Sequence, residues 1–69
     1  MSTINVVLNG EATEVFAETT LAQAITPLVT STSGVAVALD DVVISRHEWG
    51  VTPLREGARI EVLVAVQGG

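Results

Sequence analysis

The sequence predicts an α+β domain in which a mixed sheet of about five strands packs against one main helix. Three observations lead to this prediction: an Asn9-Gly10 pair near the start, a capped apolar segment after Thr20, and an alternating apolar run near the end. They indicate a hairpin, the helix and the last strand, respectively. We expect the order ββαββ, a short turn and a final strand, with the first and last strands as parallel neighbours at the centre of the sheet.

The opening hairpin follows from alternation and from turn chemistry. Residues 4–8 carry apolar side chains on one face, as a half-buried strand does. The Asn9-Gly10 pair is a strong signal for a two-residue turn, because both turn positions need positive φ. Residues 12–16 are therefore predicted to be the return strand.

The helix is predicted to be short. Thr20 and Gln23 form a capping box, in which the threonine hydroxyl accepts from the third helical amide and the glutamine side chain reaches back. Pro27 lacks an amide and disfavours helical geometry at the residue before it. We therefore expect a kinked or frayed helix, followed by a mobile segment over residues 30–34. The predicted buried stripe comprises Leu21, Ile25, Leu28 and Val29.

The second half of the chain is predicted to contain three more strands and one short helical turn. Asp40-Asp41 lies between two apolar runs and is typical of a two-residue turn, where aspartate tolerates left-handed backbone. The predicted elements are the strand 35–39, the strand 42–44, the helical turn 46–50, the loop 52–57 and the strand 60–67.

The composition excludes several classes of function. The net charge is −5, from eight Asp and Glu against three Arg, so the chain lacks the basic footprint of a nucleic-acid binder. The acidity suits a basic protein partner, or it serves solubility alone. Cysteine is absent, which excludes disulfides, cysteine metal sites and carriers that hold cargo on a cysteine sulfur. Lysine is also absent, so the protein cannot be the branched acceptor in chains of itself.

The length allows one small domain, which we place at residues 1–67, with residues 68–69 as a flexible Gly-Gly tail. The first residues lack a basic stretch followed by a long apolar segment, so no signal peptide is predicted. No apolar run reaches the roughly 18 residues of a membrane span. We expect a cytoplasmic protein that is a monomer when free.

The sequence offers no convincing catalytic or metal-binding set. His47 is the only histidine, and no nucleophilic cysteine or Ser-His-acid order accompanies it. Asp40 and Asp41 could act as paired carboxylates, but a turn explains both residues better. Trp49 is expected to anchor the edge of the sheet. We therefore expect no enzyme, no metal site and no bound cofactor.

The last predicted strand has an apolar character on both faces. Residues 60, 62, 64 and 66 are predicted to face the core, which leaves Leu63 and Ala65 on the solvent side. Such residues either form a docking surface for a protein partner or are ordinary scattered exposed side chains. The predicted docking surface comprises Val7, Ala36, Ala38, Leu63 and Ala65.

The chain ends on Gly68-Gly69, directly after that strand. Two residues without side chains make a thin stalk, which reaches roughly 10–14 Å when three or four residues are extended. We expect Gln67 and Gly68 to thread into a narrow channel of a partner and to deliver the Gly69 carboxylate. A free carboxylate is a poor electrophile, whereas its adenylate in a water-excluding site can acylate sulfur or an amine. The alternative interpretation is that Gly68-Gly69 is a flexible end without a function.

The chain combines five motifs that occur together in one family: the capped helix start 20–24, the strand 35–39, Arg46-His47-Glu48-Trp49, Leu54-Arg55-Glu56-Gly57, and the ending 60–69. Together they resemble ThiS, the ubiquitin-like sulfur carriers of thiamine biosynthesis. The resemblance covers essentially the whole chain. Its most specific parts are the Val-Gln-Gly-Gly sequence at residues 66–69 and the Arg-x-Glu-Trp element.

The resemblance implies a β-grasp fold and a sulfur-transfer cycle. In that cycle an E1-like adenylating enzyme of the ThiF type uses Mg-ATP to convert the C-terminal carboxylate, here that of Gly69, to an acyl-adenylate. A sulfur donor protein then displaces AMP and leaves a thiocarboxylate, from which a thiazole synthase of the ThiG type takes the sulfur. The resemblance thus implies a protein cosubstrate without catalytic residues of its own.

Three positions depart from the family pattern. Pro27 stands where the helix usually continues, Ala58 follows Gly57 where aspartate is common, and Asp40 replaces the usual asparagine of the turn. None of the three lies in the tail.

Three other functions remain open. A MoaD-like carrier for molybdopterin has the same ending, but such carriers often approach it through a proline-containing segment, which residues 64–67 lack. A ubiquitin-like modifier would join Gly69 to a lysine of another protein. A structural interaction domain with an inert tail is the third.

Overall fold

Within residues 2–29 and 34–64, which the computed structural model describes, five strands form a single mixed sheet. They are β1 Thr3–Leu8, β2 Glu11–Phe16, β3 Val35–Leu39, β4 Val42–Ile44 and β5 Arg59–Val64. Their order across the sheet is β2-β1-β5-β3-β4. The β1–β5 pair is parallel, and the other neighbouring pairs are antiparallel. The predicted parallel pairing of the first and last strands is confirmed.

Two left-handed dipeptides join the hairpin strands. Asn9 and Gly10 have φ values of 49° and 83°, and Asp40 and Asp41 have values of 50° and 71°. Two consecutive residues with positive φ give the turn whose twist matches the flanking strands. The turns set the strand registers, with Leu8 opposite Glu11 and Leu39 opposite Val42. Both predicted two-residue turns are confirmed.

The helix α1, Leu21–Ile25, is short and capped as predicted. The Thr20 hydroxyl accepts from the Gln23 amide at 3.3 Å, and the Gln23 side-chain oxygen accepts from the Thr20 amide at 3.0 Å. After Ile25 the chain continues as the 3₁₀ helix Thr26–Leu28, which contains Pro27. A 3₁₀ helix has about three residues per turn, so the apolar stripe does not continue with α-helical spacing. The prediction that Leu28 is buried is therefore wrong, since 45% of it is exposed.

Replacing Thr20 by alanine should lower the free energy of unfolding by about 1 kcal/mol, because the Gln23 amide at the helix start loses the hydroxyl that accepts from it. Urea unfolding of the purified chain measures this change. Thr19→Ala is the matched control: the Thr19 hydroxyl makes no hydrogen bond to the described residues, so its loss should stay within about 0.5 kcal/mol. Equal losses in the two variants would contradict the assigned cap.

The core lies between the sheet and α1. The central strands and the helix supply most of it, and the 3₁₀ helix Arg46–Val51 closes one end. Trp49 is buried there, and its indole nitrogen donates to the Ile44 carbonyl at 2.9 Å, which confirms its predicted anchoring role at the edge strand β4. The buried core residues are Val6, Leu21, Ala24, Ile25, Val37, Trp49, Leu54, Ala58, Ile60 and Val62.

Besides Leu28, Val64 was predicted to face the core and lies outside it. Val64 is 55% exposed, although it lies on the same face of β5 as Ile60 and Val62. Strand β1 ends at Leu8, which pairs with Ile60, so at Val64 strand β5 extends beyond its parallel neighbour. Val64 pairs with Val35 of β3 on its other side. Alternation therefore predicted the face correctly but not the point at which the core ends.

The β1–β5 pairing is lengthened at its start by a side chain. Two residue pairs, Val7 with Arg59 and Leu8 with Ile60, make up the strand pairing itself. Before them, the Glu56 carboxylate accepts from the Asn5 amide at 3.0 Å, and the Gly57 amide donates to the Asn5 carbonyl at 2.7 Å. Gly57 has a φ of 82°, a conformation that glycine adopts without steric cost. The turn therefore holds β5 against β1 before the strand begins.

Candidate functional site

Strand β5 is the middle strand of the sheet and leads to the predicted reactive end of the chain. The last described residue is Val64. The predictions for Ala65, Gln67, Gly68 and Gly69 lie outside the described residues and stay predictions, as do those for residues 30–33. What the structure supplies is the position and surroundings of the strand from which the tail emerges.

Three of the predicted docking residues lie together on the face of the sheet away from α1. Leu63 is 71% exposed and lies opposite Ala36 of β3. Ala38 follows two positions later on the same face and lies opposite Glu61. Residues that pair directly across two strands share one face, so Leu63 and the two alanines form one continuous apolar area.

Val43 extends this area onto the edge strand β4. It is 75% exposed and pairs directly with Ala38. The sequence prediction placed Val43 in a strand but assigned it to no face, because three residues give too little alternation. The Asp40-Asp41 turn could have identified the face of Val43. A two-residue turn pairs residue 39 with 42 and therefore 38 with 43, so Val43 shares the face of Ala38. We call Ala36, Ala38, Val43 and Leu63 the sheet patch.

Val7 lies apart from the sheet patch. It is half-buried, and its partners are Ala12 of β2 and Arg59 of β5. Arg59 precedes Leu63 by four residues, which is about 13 Å along a strand. Val7 therefore lies towards the opposite end of β5 from Leu63, and its role in docking stays a prediction.

The charged groups near the start of β5 form a small network. The Arg59 guanidinium pairs with the Asp41 carboxylate, and the Arg59 amide donates to the Asp40 carboxylate at 2.9 Å. The Asp40 amide in turn donates to the Arg59 carbonyl at 2.8 Å. Both aspartates thus stabilise the turn and its junction with β5, as the structural interpretation of this pair predicts. Glu61, between this network and Leu63, contributes a negative charge beside the sheet patch.

The described residues show no arrangement suited to catalysis or to holding a metal ion. His47 is exposed on the 3₁₀ helix Arg46–Val51. No group of three or more His, Cys, Asp or Glu among residues 2–29 and 34–64 is placed to hold a metal. A shallow groove between the β1–β2 hairpin and the helix is lined by Glu11, Thr13, Thr19 and Gln23 among apolar side chains, and the Thr13 hydroxyl there donates to the Glu11 backbone carbonyl and not to its carboxylate. The helices within residues 2–29 and 34–64 are each six residues or shorter, well below the length that spans a bilayer.

The fold agrees with comparisons to known proteins. The model of the ThiS family matches residues 6–69. The crystal structure of the thiamine biosynthesis protein ThiS from Geobacter metallireducens is similar, with 25% identity, a TM-score of 0.77, and coverage of 96% of this chain and 100% of that chain. No curated protein matches the sequence. These similarities confirm the predicted α+β fold as a β-grasp fold, and the family match spans nearly the whole sequence. The chain belongs to the ThiS family.

Proposed function

We propose that this protein is a sulfur carrier of thiamine biosynthesis, and that the carboxylate of Gly69 carries the sulfur as a thiocarboxylate. The observation that carries the proposal is the family match, which runs through residue 69 and therefore includes the Gly-Gly ending. Membership of a family of small sulfur carriers also supports a role as a cosubstrate, on which partner enzymes act.

The chemistry requires activation of the carboxylate before sulfur can enter. In the proposed cycle, a carboxylate oxygen of Gly69 attacks the α-phosphorus of ATP, which gives an acyl-adenylate and pyrophosphate. The terminal sulfur of a cysteine persulfide on a donor protein then attacks the acyl carbon and displaces AMP, which gives an acyl disulfide. A second thiol attacks the donor's sulfur in that disulfide, so the two thiols leave as a disulfide and the thiocarboxylate remains. The resulting thiocarboxylate passes its sulfur to a thiazole synthase, and the carboxylate is formed again. ATP and Mg²⁺ belong to the adenylating partner, which must exclude water to protect the adenylate.

We further propose that the sheet patch docks the carrier on its partner enzymes. Leu63 lies six residues before Gly69, so a partner that binds the patch also receives the tail beside it. Apolar area at the centre of an interface, with charge at its rim, is the usual composition of a docking surface. The carrier has a net charge of −5 and Glu61 beside the patch, which suits an apolar partner surface with a basic rim.

Intact mass spectrometry tests the proposed function. The purified chain is incubated with an adenylating enzyme of the ThiF type, Mg-ATP and a cysteine-dependent sulfur donor. We expect a mass increase equal to the difference between one sulfur and one oxygen atom, and no increase when ATP is omitted. An unchanged mass with active partner enzymes would contradict sulfur loading.

Two further outcomes distinguish the alternatives. Covalent products much heavier than the chain would indicate a protein modifier. If the sulfur is loaded, addition of a thiazole synthase of the ThiG type with its other substrates should return the mass to its starting value. Release by a molybdopterin-forming enzyme instead would indicate the MoaD-like function.

A further inference from the structure

The side chain of Asn9 bonds to the backbone of β5 at the point where β1 has ended. Its Oδ1 accepts from the Val62 amide at 2.7 Å, and its Nδ2 lies 3.4 Å from the Val62 carbonyl oxygen. The Asn9 amide also donates to the Ile60 carbonyl at 2.8 Å. The two side-chain contacts join residues 53 positions apart in the sequence.

The position of the Asn9 side chain follows from the alternation of β5. The Arg59 carbonyl accepts from Asp40 on the β3 side, whereas the Ile60 carbonyl accepts from Asn9 on the β1 side. Backbone groups alternate in direction along a strand, so the amide and carbonyl of Val62 also point towards β1. Strand β1 stops at Leu8, so no strand residue faces Val62 there. The Asn9 carboxamide takes the place of the missing strand residue.

We propose that Asn9 is a positioning residue for the reactive end of the carrier. By holding Val62, it fixes the direction in which the chain leaves the sheet, and it keeps the adjacent Leu63 in register with Ala36 in the sheet patch. This inference rests on the proposed function, in which the chain beyond β5 is delivered to an adenylating enzyme. A segment that is ordered before binding loses less conformational entropy when it binds, so Asn9 should lower the carrier concentration that the enzyme needs.

Two substitutions of Asn9 distinguish the effect of its side-chain contacts from the effect of its place in the turn. Asn9 has a φ of 49°, a conformation that glycine adopts readily and that aspartate tolerates. Asn9→Gly keeps the two-residue turn and removes both contacts to Val62. Asn9→Asp also keeps the turn and retains the oxygen that accepts from the Val62 amide at 2.7 Å, but it replaces the donor with a second oxygen that repels the Val62 carbonyl oxygen, so it restores only part of the contact. Asn9→Asp is therefore the conservative control.

The ATP–pyrophosphate exchange catalysed by an adenylating enzyme of the ThiF type measures the effect. With Asn9→Gly we expect the KM for the carrier to rise about fivefold to tenfold, in line with the loss of one or two hydrogen bonds. The kcat should stay within about twofold, because the bound tail reaches the same geometry once docked. Asn9→Asp should have a KM between those of the wild type and Asn9→Gly.

Amide hydrogen exchange gives a second measurement that needs no enzyme. The Val62 amide should exchange faster in Asn9→Gly than in the wild type, and Asn9→Asp should restore part of its protection. The Glu61 amide is the internal reference, since it faces β3 in the same strand. Faster exchange limited to Val62 and the residues after it would match a loss of local order at the end of β5.

Several results would overturn the inference. If the wild type supports exchange and Asn9→Gly has an unchanged KM, the positioning role fails while the proposed function stands. An Asn9→Asp variant as impaired as Asn9→Gly would also contradict it, and so would an Asn9→Gly variant that does not fold, since Asn9 would then serve the fold alone. If the wild type itself is not adenylated, the proposed function fails and this inference fails with it.

Discussion

Deletion of Gly69 should abolish thiocarboxylate formation and leave the domain folded. The truncated chain still ends in a glycine carboxylate, but that carboxylate lies one residue, about 3.5 Å, short of its position in the full chain. Reacting atoms must come within about 3–3.5 Å of each other for an efficient step, so a shift of this size removes the adenylation geometry. Intact mass after incubation with the adenylating enzyme, Mg-ATP and the sulfur donor should stay unchanged.

A second variant separates the length of the tail from its width. Gly68→Val keeps the number of residues and the terminal carboxylate but adds a branched side chain to the stalk. If the tail passes through a narrow channel, this variant should also lose most of its sulfur loading. Thermal unfolding is the control for both variants, and the midpoint should stay within about 2 °C of the wild type, because exposed termini contribute little to packing. Sulfur loading of the truncated chain at the wild-type rate would contradict the assignment of Gly69.

Replacing Leu63 by aspartate should weaken docking far more than it weakens the fold. Leu63 is 71% exposed, so the substitution removes little buried area, and the cost to stability should stay below about 1 kcal/mol, the span of strand propensities. At the centre of an interface the same change leaves a charge without a partner and places it beside Glu61. We expect the dissociation constant for the adenylating enzyme to rise about 30-fold, the factor that corresponds to a hot-spot loss of about 2 kcal/mol.

Val51→Asp is the matched control for that variant. Val51 is 78% exposed, and it lies on the 3₁₀ helix Arg46–Val51, which packs against α1 on the other side of the sheet. The Val51→Asp variant introduces the same charge at a similarly exposed aliphatic position, so it tests whether the change in net charge alone weakens binding. Its dissociation constant should stay within about twofold of the wild type. Equal weakening by the two variants would remove the sheet patch from the proposed interface.

The elements that the sequence predicted are those specified by local chemistry. Asn9-Gly10 and Asp40-Asp41 specify left-handed turns wherever they join two strands, and the Thr20 capping box depends on residues three positions apart. Pro27 likewise limits the helix through its own ring, and the helix ends at Ile25. Each of these signals acts within a few residues, so no knowledge of the tertiary structure is needed to interpret it.

The contacts that the sequence did not predict depend on residues far apart along the chain. The Asn9 carboxamide bonds to Val62, and the Glu56 carboxylate bonds to the amide of Asn5. Each of these side chains satisfies a backbone group that a neighbouring strand leaves without a partner. Whether a neighbouring strand reaches a given position depends on the registers of both strands, which the sequence does not show. The exposure of Val64 could not be predicted for the same reason. The end of a core is therefore harder to predict than its face.

The middle position of β5 has a consequence for how the protein is made. A ribosome synthesises this strand after all the others, yet β5 is the strand that joins the β1–β2 hairpin to the β3–β4 hairpin. A nascent chain that stops before Arg59 therefore consists of two separate hairpins and a short helix, with no strand between them. Because pairing between distant segments is slow and needs both segments to be free, the domain should close only after β5 has left the exit tunnel.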